Sequence, residues 1–172
     1  EDVVETPVTS ERVGDIVTIT RFMDDTDPSK FYRQVGGFDA KVDRWQRIWL
    51  DPPSTVIIDA GATPAGTNDK ANGIDTRVIS VLKPVDERTV DQIWGFARDF
   101  GLDDAELDAD IDKAIDHTFA EDMAFLSGQQ RNMEKDPGRR MLNNSPDAGV
   151  VLARRVIDEM LVAETRISAP AK

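Results

Sequence analysis

The period of the hydrophobic pattern changes once along the chain, close to residue 100, and this change is the strongest constraint on the fold. Before it, apolar and polar residues alternate in short runs between turn residues, which is typical of strands that bury one face. After it, apolar residues recur every three or four positions from Leu107 to Met123, which indicates a long amphipathic helix. Hairpin-like strands followed by helices predict an α+β domain built on an antiparallel sheet.

The first hundred residues predict a series of strands joined by short turns. Gly14-Asp15 predicts the turn of a hairpin, and Pro52-Pro53 predicts the end of a strand because proline cannot donate to a ladder. We expect one or two helical turns over Phe31–Phe38 and a loop over Gly61–Gly73, which could act as a lid. The predicted strands are Val3–Val13, Ile16–Phe22, Val42–Leu50, Thr55–Ala60, Ile74–Leu82 and Arg88–Phe100.

Alternation in two of these strands predicts which face points inward. Asp59 and Arg77 lie on the opposite face from the uncharged positions, which are therefore expected to face the long helix. The last strand leaves its two faces undecided. The residues expected to face the helix are Val56, Ile58, Val78, Ser80 and Leu82.

The second half predicts two helices. Asp103 and Asp104 suit the positive end of a helix that starts there and continues to about Glu134, where Asp136-Pro137-Gly138 ends it. A second amphipathic helix is expected to open at Ser145-Pro146-Asp147, with Ser145 as its cap and proline at the first helical position. A sheet that grips a long helix commonly leaves a cavity between the two layers.

Composition excludes several classes of function. The chain has 21 basic and 33 acidic residues and a net charge of −12, so it would repel a nucleic acid backbone. It has no cysteine, hence no disulfide or thiolate ligand, and one histidine, so this chain alone completes no two-histidine metal site. No apolar run approaches the roughly 18 residues that span a bilayer. The absence of disulfides is compatible with the cytoplasm.

Asp122 and His117 are the residues on the long helix with possible chemistry. Helical periodicity places Asp122 beside an apolar side formed by Ile111, Ile115 and Phe125. A carboxylate buried there would need a cation, a donor or a metal. The alternative is a carboxylate at the edge of the apolar stripe, bonded to arginine or solvent. His117 lies about 500° of helical turn before Asp122, and a surface histidine is the alternative to a functional one.

Several stretches resemble the vanillate O-demethylase oxygenase group of Rieske non-haem iron oxygenases. They occur in the order and spacing of that family, from Glu1 to about Glu164. The stretches are Val42–Gln46 with Pro52–Ser54, Trp94–Phe100, Phe119–Asp122 with Gln129 and Gln130, and Asp147–Val150 leading to Arg154–Ile157.

The resemblance implies a catalytic domain with a helix-grip fold of the START/Bet v 1 type, in which an antiparallel sheet wraps around a long helix and a C-terminal helix follows. It also implies a mononuclear Fe(II) held by two histidines and one carboxylate. That carboxylate lies in the family's Glu-Asp step, Glu121-Asp122 here, so Asp122 is the matched iron ligand. Such a triad leaves iron positions open for dioxygen and substrate. Ile58 and Ser80 are expected on the substrate side of the cavity.

The resemblance further implies parts that this chain does not contain. The family's Rieske [2Fe–2S] cluster needs two cysteines and two histidines, and its two iron-binding histidines would precede Glu1. Residues 1–172 are therefore expected to form most of one catalytic domain, inactive alone and lacking the N-terminal Rieske domain. A ferredoxin or flavin reductase would bring electrons from NAD(P)H. The full-length protein is expected to be a cytoplasmic homotrimer, with the Rieske domain of one subunit facing the iron of the next.

The leading hypothesis is an oxygenase that demethylates or hydroxylates a small aromatic, such as a methoxybenzoate. Two alternatives stay open: a non-enzymatic helix-grip module that carries an apolar ligand, and an oxygenase for a larger hydrophobic substrate. The missing histidines favour the module if Glu1 is near the natural start, whereas the Glu121-Asp122 step favours the enzyme.

Overall fold

The computed structural model describes residues 6–67, 70–139 and 142–167. Within these residues, six strands form one antiparallel sheet in which each strand pairs with the next along the chain. Short turns can join such neighbours, which agrees with the alternating first half of the sequence. The strands are β1 (Thr9–Val13), β2 (Ile16–Thr26), β3 (Val42–Asp51), β4 (Thr55–Pro64), β5 (Ile74–Pro84) and β6 (Val90–Arg98), and the α-helices are α1 (Lys30–Gly36), α2 (Ala105–Lys135) and α3 (Ala148–Ile167).

The first hairpin confirms the predicted turn. Gly14 has a φ of 61°, which a residue without a Cβ adopts at little cost, and Val13 pairs directly with Ile16. Strand β1 begins at Thr9, and residues 3–5 of the predicted first strand lie outside the described residues.

Strand β4 is longer than the sequence predicts. The expected loop over Gly61–Gly73 is wrong for residues 61–64, which continue the strand. Ala62 pairs with Arg44 on one side and Ile74 on the other, so both neighbouring ladders extend through this segment. The small residues give no hydrophobic signal, but their backbone groups are satisfied by two flanking strands.

The hydrophobic core lies on one side of the sheet. Directly opposite residues of an antiparallel pair point to the same face, so the register assigns every paired residue to a side. We call the side that carries Ile58 the core face. The buried apolar strand residues all belong to it: Val17, Met23, Val42, Ala62 and Ile74.

Helix α1 packs at one end of the core face. Tyr32 and Phe38 join Val42, Ala62 and Ile74 in one buried cluster. The predicted one or two helical turns over Phe31–Phe38 are confirmed.

Helix α3 packs on β1 and β2. A Cβ at Gly149 would overlap the side chain of Ile19, so the glycine permits this close approach. At the other end of the contact, Arg12 Nη2 lies 2.6 Å from Glu159 Oε2. This hydrogen bond lowers the pKa of the Glu159 carboxyl and raises the pKa of the Arg12 guanidinium.

The start of α3 differs from the prediction by one residue. Asn144, rather than Ser145, is the capping residue, and its N–H donates to Asp147 Oδ2 at 2.7 Å. Residues Ser145–Asp147 form one 3₁₀ turn before the α-helix begins. Pro146 is therefore the second residue of the turn rather than the predicted first, a position where it still needs no backbone donor.

The chain divides into two compact units, one holding the sheet with α1 and α3 and the other holding α2. Asp104 caps α2: its Oδ1 accepts the N–H groups of Glu106 and Leu107 at 3.1 and 3.0 Å. The helix ends before Asp136, as predicted. None of the helices in the described part of the chain has the length and apolar character needed to cross a membrane.

Candidate functional site

The strand residues expected to share a face do so. Ile58 lies opposite Val78 in the β4–β5 ladder, whereas Arg77 and Ile79 point to the other side and are exposed. The alternation therefore predicts the register correctly, and the proximity of this face to the long helix stays a prediction. The residues that share the core face here are Val56, Ile58, Val78, Ser80 and Leu82.

Ser80 presents a hydroxyl in this apolar stretch of the core face. Its side chain is nearly covered, and its Oγ accepts a hydrogen bond from Gln92 Nε2 at 3.1 Å. Because this bond uses the oxygen as an acceptor, the Ser80 O–H remains able to donate to a ligand. The sequence did not identify Gln92, since it left the faces of β6 undecided. The register places Gln92, Trp94 and Phe96 on the core face.

Charge is segregated between the two faces of the sheet. Among the described residues that the ladders pair, every acidic side chain points away from the core face. The charged residues paired on the core face are Arg12, Arg21, Arg44 and Arg98.

Asp59 lies on the opposite face, as alternation predicts, and it is buried there. Only 6% of the residue is exposed. Trp45 Nε1 donates to its Oδ1 at 2.6 Å, and Arg77 Nη2 lies 3.7 Å from Oδ2. The indole of Trp45 lies over Gly61 and covers the carboxylate, an arrangement that depends on strand pairing and left no signal in the sequence.

Asp122 lies near the middle of α2 and is exposed. Helical geometry places it within about 20° of Ile111 and Ile115, which are buried and half-buried, so its predicted phase holds. The same side of the helix is uncovered further on, where Phe125 and Leu126 are 74% and 59% exposed. Asp122 makes no hydrogen bond or ion pair with any residue that the structure describes, so its carboxylate is open.

His117 is an exposed residue of α2. Its Nε2 lies 3.7 Å from Glu121 Oε1, one helical turn away. About 500° of helical rotation separates His117 from Asp122, so the two side chains project from different sides of the helix. This position agrees with the surface-histidine alternative.

The described residues contain one candidate for the iron site that the resemblance implies, the carboxylate of Asp122. Across residues 6–67, 70–139 and 142–167, no group of three or more His, Asp and Glu side chains could hold a metal ion. A facial triad needs two imidazoles and one carboxylate. Asp122 fits the carboxylate position, being accessible and without a competing cation among the described residues, whereas the imidazoles have no counterpart here. Its role as an iron ligand stays a prediction.

Comparison with known proteins decides the family. A family model described as the vanillate O-demethylase oxygenase C-terminal domain matches residues 1–163. The chain belongs to this family. The resemblance that the sequence motifs predict is thereby confirmed.

Two curated relatives of this C-terminal domain have names that describe oxygenase systems. The chain is 36% identical to a vanillate O-demethylase oxygenase subunit of Pseudomonas sp. strain HR199, over 95% of its own length and 49% of that protein. It is 31% identical to a toluene-4-sulfonate monooxygenase system iron-sulfur subunit of Comamonas testosteroni, over 90% of its own length and 46% of that protein. The chain thus spans about half the length of the curated relatives it matches.

Solved structures show the fold of the domain. The chain is similar to dicamba monooxygenase bound to 3,6-dichlorosalicylic acid, with a TM-score of 0.81 and 21% identity, over 95% of this chain and 49% of that one. Dicamba monooxygenase bound to dicamba gives a TM-score of 0.78. This likeness confirms the predicted α+β helix-grip fold class.

Proposed function

We propose that the full-length protein is a Rieske-type oxygenase that demethylates or hydroxylates a small anionic aromatic, with a methoxybenzoate as the leading candidate. Membership of the vanillate O-demethylase oxygenase C-terminal domain family, over residues 1–163, carries the proposal. The substrates named for two relatives, vanillate and toluene-4-sulfonate, are both aromatic acids that carry an anionic group.

In this proposal, Asp122 is the carboxylate ligand of a mononuclear ferrous iron, and the two histidine ligands come from residues outside this chain. Iron held by such a triad supplies the activation of dioxygen. The open carboxylate of Asp122 supports the assignment, because no described residue competes for it. Ile58 would form part of the apolar wall of the substrate pocket, and Ser80 would donate a hydrogen bond to the substrate.

The net reaction on a methoxyarene balances with dioxygen and two electrons. One oxygen atom enters a methyl C–H bond to give a hemiacetal, which breaks its C–O bond to release a phenol and formaldehyde. The second oxygen atom leaves as water with two protons. The electrons would come from NAD(P)H through a ferredoxin or flavin reductase and a Rieske [2Fe–2S] cluster outside this chain. A homotrimer in the cytoplasm is the proposed form, because cluster and iron from neighbouring subunits would then lie close together.

Substitution of Asp122 tests the proposal. The full-length Asp122→Asn protein keeps the shape of the side chain but has a weaker, uncharged ligand. The content of mononuclear iron and the rate of formaldehyde release should therefore each fall at least tenfold. A tenfold fall corresponds to about 1.4 kcal/mol, which is the size of one lost charged interaction. The visible absorption of the cluster should not change. Glu121→Gln is the matched control, since Glu121 projects about 100° away around the helix, and it should keep both iron and activity.

Two outcomes would refute this assignment. Asp122→Asn protein with stoichiometric mononuclear iron and normal demethylation would remove Asp122 from the iron site. A coding sequence upstream of Glu1 without a two-Cys, two-His cluster motif and a nearby histidine pair would remove the oxygenase and favour a non-enzymatic module that carries an apolar ligand.

A further inference from the structure

We propose that Arg21 and Gln46 form a subsite on the core face that binds the carboxylate of a small aromatic acid. The inference deepens the proposed function and rests on it for the identification of that acid as the substrate. The anion site itself is argued from the contacts and charges of the sheet.

A cavity of about 110 Å³ opens beside β2 and β3, next to the 3₁₀ turn that precedes α3. Its polar lining residues are Arg21 and Gln46, which lie directly opposite each other in the β2–β3 ladder. Pockets for drug-sized ligands start at about 300 Å³, so this cavity suits one end of an aromatic molecule rather than a whole one. The apolar lining residues are Val8, Ile19, Ile48 and Pro146.

Arg21 has no counter-charge in the described part of the chain. Its Nε is buried without a hydrogen-bond partner, and the side chain makes no ion pair with a described residue. The side-chain amide of Gln46 likewise makes no hydrogen bond with a described residue. A buried charged donor is costly to leave unpaired, so we expect an acceptor from outside the described residues to complete it.

The surroundings of Arg21 favour an anion over a neutral acceptor. The core face carries arginines and no ladder-paired acidic residue among those described. Arg12 pairs with Glu159, and Arg44 and Arg98 each lie over an aromatic ring. Arg44 Nε and Arg98 Nη1 are also buried without a hydrogen-bond partner, but of these arginines it is Arg21 that lines the cavity.

The chemistry of the two side chains fits a carboxylate. A guanidinium offers two parallel N–H donors in a fixed fork that matches the two oxygens of a carboxylate. The Gln46 amide can add a third donor from the neighbouring strand. The aliphatic side chains of Ile19 and Ile48 then provide an apolar surface for the ring that carries the carboxylate.

Benzoate and benzamide separate charge from shape, because they share the ring and differ in charge. We expect the full-length protein to bind benzoate more tightly than benzamide in calorimetric titrations without reductant, where no turnover occurs. Arg21→Gln should weaken benzoate binding at least tenfold, the effect of about one charged hydrogen bond, and leave benzamide binding nearly unchanged. Arg21→Lys, which keeps the charge and loses the fork, should fall between the two.

The matched control is Arg77→Gln, an exposed arginine on the opposite face, which should leave benzoate affinity unchanged. Gln46→Leu is a second variant at the site and should weaken benzoate binding severalfold; circular dichroism checks that each variant is folded. Equal affinity for benzoate and benzamide, or an Arg21→Gln protein that binds benzoate normally, would overturn the proposal and leave water as the partner of Arg21.

The test of the carboxylate subsite can succeed or fail independently of the proposed oxygenase function. Arg21-dependent benzoate binding in a protein without oxygenase activity would refute the proposed function and leave the anion site standing. In an active protein, Arg21→Gln should raise KM for a methoxybenzoate more than it lowers kcat, because the carboxylate is held in both the ground state and the transition state. Turnover with an unchanged KM would refute the subsite alone.

Discussion

Replacing Gly61 with alanine would place a methyl group against side-chain atoms of β3 and backbone atoms of β5. A Cβ at this position would lie 2.5 Å from the backbone carbonyl oxygen of Ile74 and would overlap the indole ring of Trp45. The carbonyl belongs to a strand and cannot rotate away. The indole could move only by releasing its hydrogen bond to the buried Asp59.

These two contacts set the size of the expected effect. Overpacking a well-filled site costs about 1–3 kcal/mol. Loss of the hydrogen bond between Trp45 and the carboxylate of Asp59 adds about 1.5–3 kcal/mol, since hydrogen bonds to charged groups are the stronger ones. We therefore expect Gly61→Ala to lower the free energy of unfolding by roughly 3 kcal/mol or more. For a domain of this size, that corresponds to a fall in Tm of about 6–12 °C.

Thermal unfolding by calorimetry measures this fall, and Gly95→Ala is the control. Gly95 lies in β6 of the same sheet, and a Cβ there would meet no atom within 4 Å. Its substitution should leave the stability unchanged or raise it slightly through the entropy of the unfolded chain. A Gly61→Ala protein that melts with the wild type, or a Gly95→Ala protein that loses as much as Gly61→Ala, would refute the reasoning.

Two further predictions concern a buried phenol and a helix cap. Burial raises the pKa of the Tyr32 phenol above its ordinary value near 10, and the Arg44 guanidinium opposes the shift. The folded state thus favours the neutral phenol of Tyr32. The contribution of this phenol to the stability of the folded protein is complete below about pH 10, and it is lost as the pH rises through the pKa of Tyr32 in the folded state. Urea unfolding at pH 9 and pH 11 should show a smaller alkaline loss for Tyr32→Phe than for the wild type; equal losses would contradict the assignment. Asp104→Ala should cost about 1 kcal/mol and shorten α2, as measured by urea unfolding and far-ultraviolet circular dichroism, because two N–H groups lose their acceptor. Asp103→Ala, whose side chain makes no hydrogen bond with a described residue, should behave like the wild type, and a matching loss there would argue for a general charge effect.

The strand register could be predicted because hydrophobicity and charge alternate together. In β5, Arg77 alternates with Thr76 and Val78, and a slip of one residue would bury the guanidinium. The end of β4 could not be predicted in this way. Residues 61–64 are small and carry no alternating signal, and their strand conformation depends on partners at Arg44 and Ile74.

The helical phase of Asp122 could also be predicted, but its exposure could not. Phase follows from about 100° per residue and needs only the sequence. Exposure depends on what covers the helix, and it changes between Ile115 and Leu126, which lie about 20° apart around the helix. The Ser80–Gln92 hydrogen bond escaped prediction for a related reason, since it needs the register of two strands rather than the pattern of one.

The net charge of the chain and the charges close to Arg21 lead to opposite expectations about anion binding. The net charge of −12 disfavours a polyanion that contacts the whole surface. The Debye length at physiological ionic strength is about 8 Å, so a small ligand responds mainly to charges in its immediate surroundings. On the core face near Arg21, the ladder-paired charges are arginines, because alternation sends the paired acidic side chains to the other side of the sheet. An acidic chain can therefore present a cationic site to a small carboxylate, and only the register shows where.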